Sequence, residues 1–210
     1  MANIFDLFKK IETKSPSPAG PVTHILVGLG NPGGEYQNTR HNVGFMALDY
    51  VAKKAGVRID RARFRSLVGE ATIATCHVLL MKPQTYMNLA GEAVREAAAF
   101  YKVAPENIVV ISDDVNFEVA RLRVRAKGSD GGHNGLKNII YQLQSDAFPR
   151  VKMGVGVKPH PEYNLADWVL GTFPKEDAEP LSAALDRVQG GVELILKGDV
   201  PAAMQLCNGK

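Results

Sequence analysis

A chain of 210 residues with 45% hydrophobic and 22% charged side chains has the composition of a globular protein with one full core, which excludes collagen-like, disordered and disulfide-framework classes. No apolar run approaches the ~18 residues that cross a bilayer, and the opening MANIFDLFKK lacks the basic-then-apolar order of a secretory leader, so a cytoplasmic location without membrane contact is expected. The net charge of +3 is unevenly spread: from Arg121 to Lys158 eight Lys or Arg stand against two Asp, a segment suited either to phosphate contacts or to a solvated face.

Ile4, Leu7, Phe8 and Ile11 recur at helical spacing, which predicts a short amphipathic helix over 3–11, and KSPSPAGP reads as a linker. Residues 1–21 are therefore expected to form an extension and linker to a single domain over 22–210. Thr23–Val27 is a short apolar run ending at glycine, as in a buried strand. A helix is expected from Asn42, as N-cap, to Ala55, with Gly56 as its stop. Strands are expected over 64–74 and 77–82, a helix over 88–102 after a turn at Pro83, and a strand over 107–112 leading into Asp113-Asp114. Cys76 and Cys207 have no C-x-x-C partner and read as reduced structural residues.

In 119-VARLRVRAK-127 apolar and basic residues alternate, which puts Arg121, Arg123 and Arg125 on one face of a strand and Leu122 and Val124 toward the core. The glycine-rich turn 128-GSDGGHNG-135, a helix to Leu143, a strand over 150–157, a loop with Pro159 and Pro161 and a long C-terminal helix follow. That helix carries an apolar stripe of Leu181, Leu185, Val188, Val192 and Ile195. The alternation gives an α/β class, and the consecutive strands at 64–82 make the sheet mixed: a single-domain mixed β-sheet flanked by α-helices in three α/β/α layers.

Gly28, Gly30 and Gly33 match the G-x-G-x-x-G spacing of dinucleotide sites, but the context fails. No helix starts at Gly33, and Asp49, at about the right separation for a ribose contact, lies inside a predicted helix. The glycines are instead expected to turn the chain at Asn31-Pro32-Gly33. Past that strand end stand Asn31, Tyr36, Arg40, His41 and Asn42. TYMN (85–88), Asp113 and His133-Asn134 also fall at loop or element ends, where α/β sheets build their ligand crevice. Singly, each has a plain alternative: a satisfied histidine at a helix start, helix N-caps at Asn88 and Asn134, a turn cap at Asp113.

The strings GLGNPGGEYQNTRHNVGF, MKPQTYMNLAGEAV, ISDDVN and GSDGGHNGLKNII, in this order, resemble the bacterial peptidyl-tRNA hydrolases over about residues 22–200. The resemblance implies a single-domain α/β enzyme that hydrolyses the ester between a peptide and the terminal ribose of tRNA, as a monomer and without metal or organic cofactor. Carried to this sequence, it makes His41 the general base and Asp113 the partner that orients it. An imidazole with its ordinary pKa near ~6.5 takes a proton from water at neutral pH, and a carboxylate on its other nitrogen fixes the tautomer. Asn31, Asn88, His133 and Asn134 would line the groove, with Asn31 telling a blocked amino end from a free one. Tyr36, Tyr86 and Met87 would form walls near the terminal nucleotide, and Arg123, Arg125 and Lys152, with Arg150 as a further candidate, would hold tRNA phosphates.

Two features depart from the family pattern. Tyr86 stands where phenylalanine is frequent, and 113-DDVNFEVAR-121 has Asn116 in place of a frequent Asp and lacks the usual Pro and Gly. Two rival readings remain besides the dinucleotide one: an RNA-binding protein on the same fold, and a metal hydrolase using His41, Asp113 and His133. The second lacks the close H-x-x-x-H or H-x-D spacing of common metal sites.

Overall fold

The computed structural model describes residues 20–209, so the helix expected over 3–11 and most of the linker lie outside the described residues. The strands are β1 (His24–Gly28), β2 (Arg61–Arg63), β3 (Ser66–Ile73), β4 (Cys76–Pro83), β5 (Ile108–Asp114), β6 (Leu122–Arg125) and β7 (Arg150–Gly154). They form one seven-stranded sheet in the order β2-β3-β4-β1-β5-β7-β6. The inner strands β4, β1, β5 and β7 are parallel, while β2, β3 and β6 extend the edges antiparallel, so the sheet is mixed as expected.

The helices are α1 (Val43–Lys54), α2 (Ala90–Tyr101), α3 (Asn134–Leu143), α4 (Leu165–Leu170), α5 (Ala178–Leu196) and α6 (Val200–Asn208). Side chains alternate across the sheet, so Leu26 of β1 joins the core under α1, α5 and α6, and Ile25 and Val27 join the core under α2 and α3. Val188, Val192 and Ile195 of the C-terminal stripe are buried in the first of these cores. The three layers follow from helical stripes covering both sheet faces.

The strand expected over 64–74 is β3, and its first two residues are instead the turn of a hairpin with β2. β2 escaped notice because all three of its residues are exposed, leaving no alternation to read. Phe64 and Arg65 turn it into β3 with φ of 52° and 49°, the left-handed pair that a two-residue hairpin needs. The single C-terminal helix is two: Gly198, at φ 82°, ends α5, and Asp199 caps α6 by accepting a hydrogen bond from the Ala202 N–H. β7 stops at Gly154 rather than at residue 157.

This topology places the carboxyl ends of β4, β1, β5 and β7 along one edge. The loops after β4, β1 and β7 carry TYMN, Asn31 to His41 and Lys158, and Asp113 stands near the end of β5 itself.

Candidate active site

The glycine spacing is explained by room more than by turning. A Cβ on Gly28 would lie 2.4 Å from the carbonyl oxygen of Gly44, and one on Gly44 would lie 2.5 Å from that of Leu29 and 2.6 Å from that of Ile111. The first turn of α1 is thus pressed against the ends of β1 and β5, which brings His41 beside Asp113. Of the three spaced glycines only Gly33 needs a left-handed backbone, with φ 117°.

Asn42 precedes α1 but does not cap it. Its Oδ1 accepts from the Asn31 N–H at 2.8 Å, and its Nδ2 donates to the Asn31 carbonyl at 2.9 Å. The Asn31 side chain in turn accepts from the Met87 N–H at 3.1 Å. Asn42 and Met87 therefore fix Asn31 from both sides, a role the sequence pattern assigned to neither. Arg40 ties the same turn to the opposite wall: its N–H donates to the Gly171 carbonyl, and its guanidinium stacks 3.9 Å from the Trp168 ring centre on α4.

At the end of β5, Asp113 is 3% exposed and its Oδ1 receives two imidazoles, His41 Nδ1 at 2.8 Å and His133 Nε2 at 2.9 Å. Burial by itself would raise the carboxyl pKa, but the charges and hydrogen bonds of His133 and His41 outweigh it and hold the group well below the usual carboxylate range. Asp113 is an anion at any pH suited to assay. With Nδ1 of His41 bound to it, Nε2 is the nitrogen left to act as a base.

The two rings and the carboxylate offer ligand atoms within 4.8 Å of one another, so the fold assembles what no short sequence spacing announced. The arrangement nevertheless suits hydrogen bonding better than a cation. Nδ1 of His133 accepts from the N–H groups of Gly135 and Leu136, so its proton is on Nε2, pointing at Asp113. A metal there would need that proton removed.

Above the pair opens a cleft of about 570 Å³, lined by Asn31, His41, Asp113, His133, Asn134 and Lys152 among the expected residues. Its far wall comes from Lys158 and from Leu165, Ala166, Val169 and Leu170 of α4, which sequence reading missed. The apolar residues of 165–170 were the available signal, too short a run to stand out. Tyr36, Tyr86, Met87 and Asn88 do not line the cleft: Tyr86 is 61% exposed, Met87 is buried, and Asn88 is exposed beside it. Met87 packs where a Cβ on Gly135 would lie 2.6 Å from its sulfur, so it braces the start of α3.

A second cleft of about 320 Å³ contains Arg123, Arg125, Lys127 and Lys152 and shares Asp114, Gly131 and Lys152 with the first. Antiparallel pairing sets Arg123 opposite Lys152 and Arg125 opposite Arg150, while Leu122 and Val124 are buried on the other face, as the alternation predicts. Arg121 lies just outside the strand. Arg150 differs from the expectation: it lies at the floor of this cleft, 1% exposed, and its guanidinium is engaged with the carbonyls of Gly128, Ser129, Asp146 and Phe148, so it braces the glycine-rich turn. Lys152 pairs with Asp114 at 3.0 Å, whereas Arg123 and Arg125 have no carboxylate within ion-pair distance among the described residues. Asn116 folds back onto the Asp114 carboxylate through its N–H and side-chain amide, which gives the divergent loop a closed turn.

Residues 25–210 match the family model described as peptidyl-tRNA hydrolase. A peptidyl-tRNA hydrolase of Clostridium botulinum (strain Alaska E43 / Type E3) is 50% identical over 185 residues, which cover 88% of this chain and 95% of that protein. One of Alkaliphilus oremlandii is 48% identical over 187 residues, covering 89% of this chain and all of the relative. Among solved structures, the crystal structure of the Acinetobacter baumannii peptidyl-tRNA hydrolase matches with a TM-score of 0.83 at 34% identity, over 91% of this chain and 98% of that one.

Proposed function

The chain belongs to the peptidyl-tRNA hydrolase family, and we propose that it cleaves the ester between a peptide and the terminal ribose of tRNA by a water molecule activated at His41. The observation that carries this is the His41 Nδ1 to Asp113 Oδ1 contact of 2.8 Å at the floor of an open cleft. The neutral ring donates its Nδ1–H to Asp113 and takes a proton from water on Nε2. The water oxygen bonds to the ester carbon, and the carbonyl oxygen takes up negative charge near the amides of Asn31 and Asn134. Collapse breaks the bond to the ribose oxygen, which recovers the proton from Nε2. No metal or organic cofactor enters these steps.

A cleft of about 570 Å³ holds the reacting ester and adjoining groups but not a tRNA, whose phosphates must lie outside it. Arg123 and Arg125, next along the groove, are suited to them and carry no sequence information, as fits an enzyme acting on many tRNAs. Tyr36, Tyr86 and Asn88 then belong to the rim, with Met87 buried beneath them and Asn31 at the peptide's blocked amino end. The protein works as a monomer in the cytoplasm, returning tRNA to translation, with residues 1–21 as an appendage to the catalytic domain; among the described residues no helix is long and apolar enough to cross a membrane.

An RNA-binding module on this fold would have no chemical need of a carboxylate-held imidazole. The deciding measurement is release of a labelled N-blocked aminoacyl group from tRNA with EDTA present. Multiple turnovers are expected; no release would overturn the hydrolase, and release lost only with chelator would overturn the metal-free mechanism. Arg123→Ala and Arg125→Ala are each expected to weaken tRNA binding and to flatten the plot of log affinity against log salt by somewhat under 1 per lost phosphate contact, roughly 0.7–0.9. An unchanged slope in both would assign that face to solvent.

A further inference from the structure

His133 was expected at the substrate, yet its side chain is 7% exposed against 15% for His41, and both ring nitrogens are already engaged. Nδ1 is the N-cap of α3, accepting from Gly135 N–H at 3.1 Å and Leu136 N–H at 3.3 Å, and Nε2 donates to Asp113 Oδ1 at 2.9 Å. The cap is held in place from behind, because Gly135 is pressed against Met87 and Leu29 with no room for a Cβ. The backbone thus dictates the tautomer: a ring that must accept on Nδ1 must donate from Nε2.

We propose that His133 is a positioning residue, a donor tethered to a helix start that fixes Asp113 and competes with His41 for the same carboxylate oxygen. The consequence is electrostatic as well as geometric. A carboxylate oxygen that accepts a second hydrogen bond has less charge to offer an imidazolium, so loss of the His133 donor would leave more of that charge to His41. The other charged groups facing this cluster leave that balance to the two histidines. Asp114 is paired with Lys152, Lys158 donates within its own loop to the carbonyls of Pro161 and Tyr163, and the Asp130 carboxylate accepts from the Gly132 N–H. The two rings lie 5.3 Å apart between centres on either side of Asp113.

The inference rests on His41 being the base, and the test separates the two. His133→Asn retains an N-cap side chain, since Asn is among the best caps, but it is too short to cap α3 and reach Asp113 together. Its kcat is measured across pH beside wild type and His133→Ala, with thermal melting as the check on folding. With the donor gone from Asp113, the acid limb of kcat is expected to move to higher pH by roughly 0.5–1 unit in both variants, while KM stays close to wild type. His133→Ala alone should also melt lower, for loss of the cap. An acid limb that does not move, or a raised KM with kcat intact, overturns the positioning role and returns His133 to the substrate. A wild-type profile with no acid limb would instead overturn His41 as the base.

Discussion

His41→Ala is expected to lower kcat by roughly 10²–10⁴, the usual worth of a general base, while binding of tRNA is retained. The loss corresponds to roughly 3–5 kcal/mol of transition-state stabilisation. The variant should fold, because the carboxylate left behind is not orphaned: Asp113 keeps the His133 Nε2–H at 2.9 Å, and the anchors of the neighbouring turn, Arg40 to Gly171 and Asn42 to Asn31, do not involve the imidazole. Arg123 and Arg125 lie in the second cleft, which does not include His41. Single-turnover rates and filter binding on the same preparation separate the two effects. A rate near wild type would place the base elsewhere, and binding lost in step with the rate would make His41 a contact residue.

The elements legible in the sequence are those whose residues repeat with a period. The buried strands β1 and β5 and the α5 stripe announce themselves because their apolar residues recur at the spacing of the element. β2 was missed because an exposed edge strand of Arg-Ala-Arg has no buried face to read, and α4 because six residues hold fewer than two turns. The site divides in the same way. His41, Asp113, Asn31 and Asn134 stand at element ends, where strand-then-loop patterns predict them. Arg150 was misplaced because an arginine in a basic segment looks like surface, and only the fold shows four backbone carbonyls waiting for it. The bond from Asn42 to Asn31 and the double hydrogen bond on Asp113 join residues 11, 20 and 72 positions apart, and no local pattern encodes a contact of that kind. For the same reason the absence of H-x-x-x-H said nothing about whether His41, Asp113 and His133 meet.

Asp113→Asn tests the charge of that partner apart from its geometry. Two N–H groups converge on Oδ1, and the tautomer of His133 is fixed by the α3 backbone, so an amide at this position must turn its oxygen toward them. His41 then keeps its Nδ1–H and its orientation and loses only the anion beneath it. The kcat is expected to fall on the order of 10²-fold, less than the ~10⁴-fold of the Ser-His-Asp triad, where the same change turns the histidine to the wrong tautomer. Without the anion, protonating His41 gains less, so the acid limb should move to lower pH. His133→Asn is expected to move it to higher pH, because there the anion is freed rather than removed. Opposite displacements from two residues bonded to one carboxylate oxygen are what an electrostatic coupling requires, and a purely structural role for either residue gives displacements of the same sign or none. A pH profile of Asp113→Asn that coincides with wild type would mean that the Asp113 charge does not act on the base, and a rate loss of ~10⁴-fold would mean that Asp113 does more than hold and charge it.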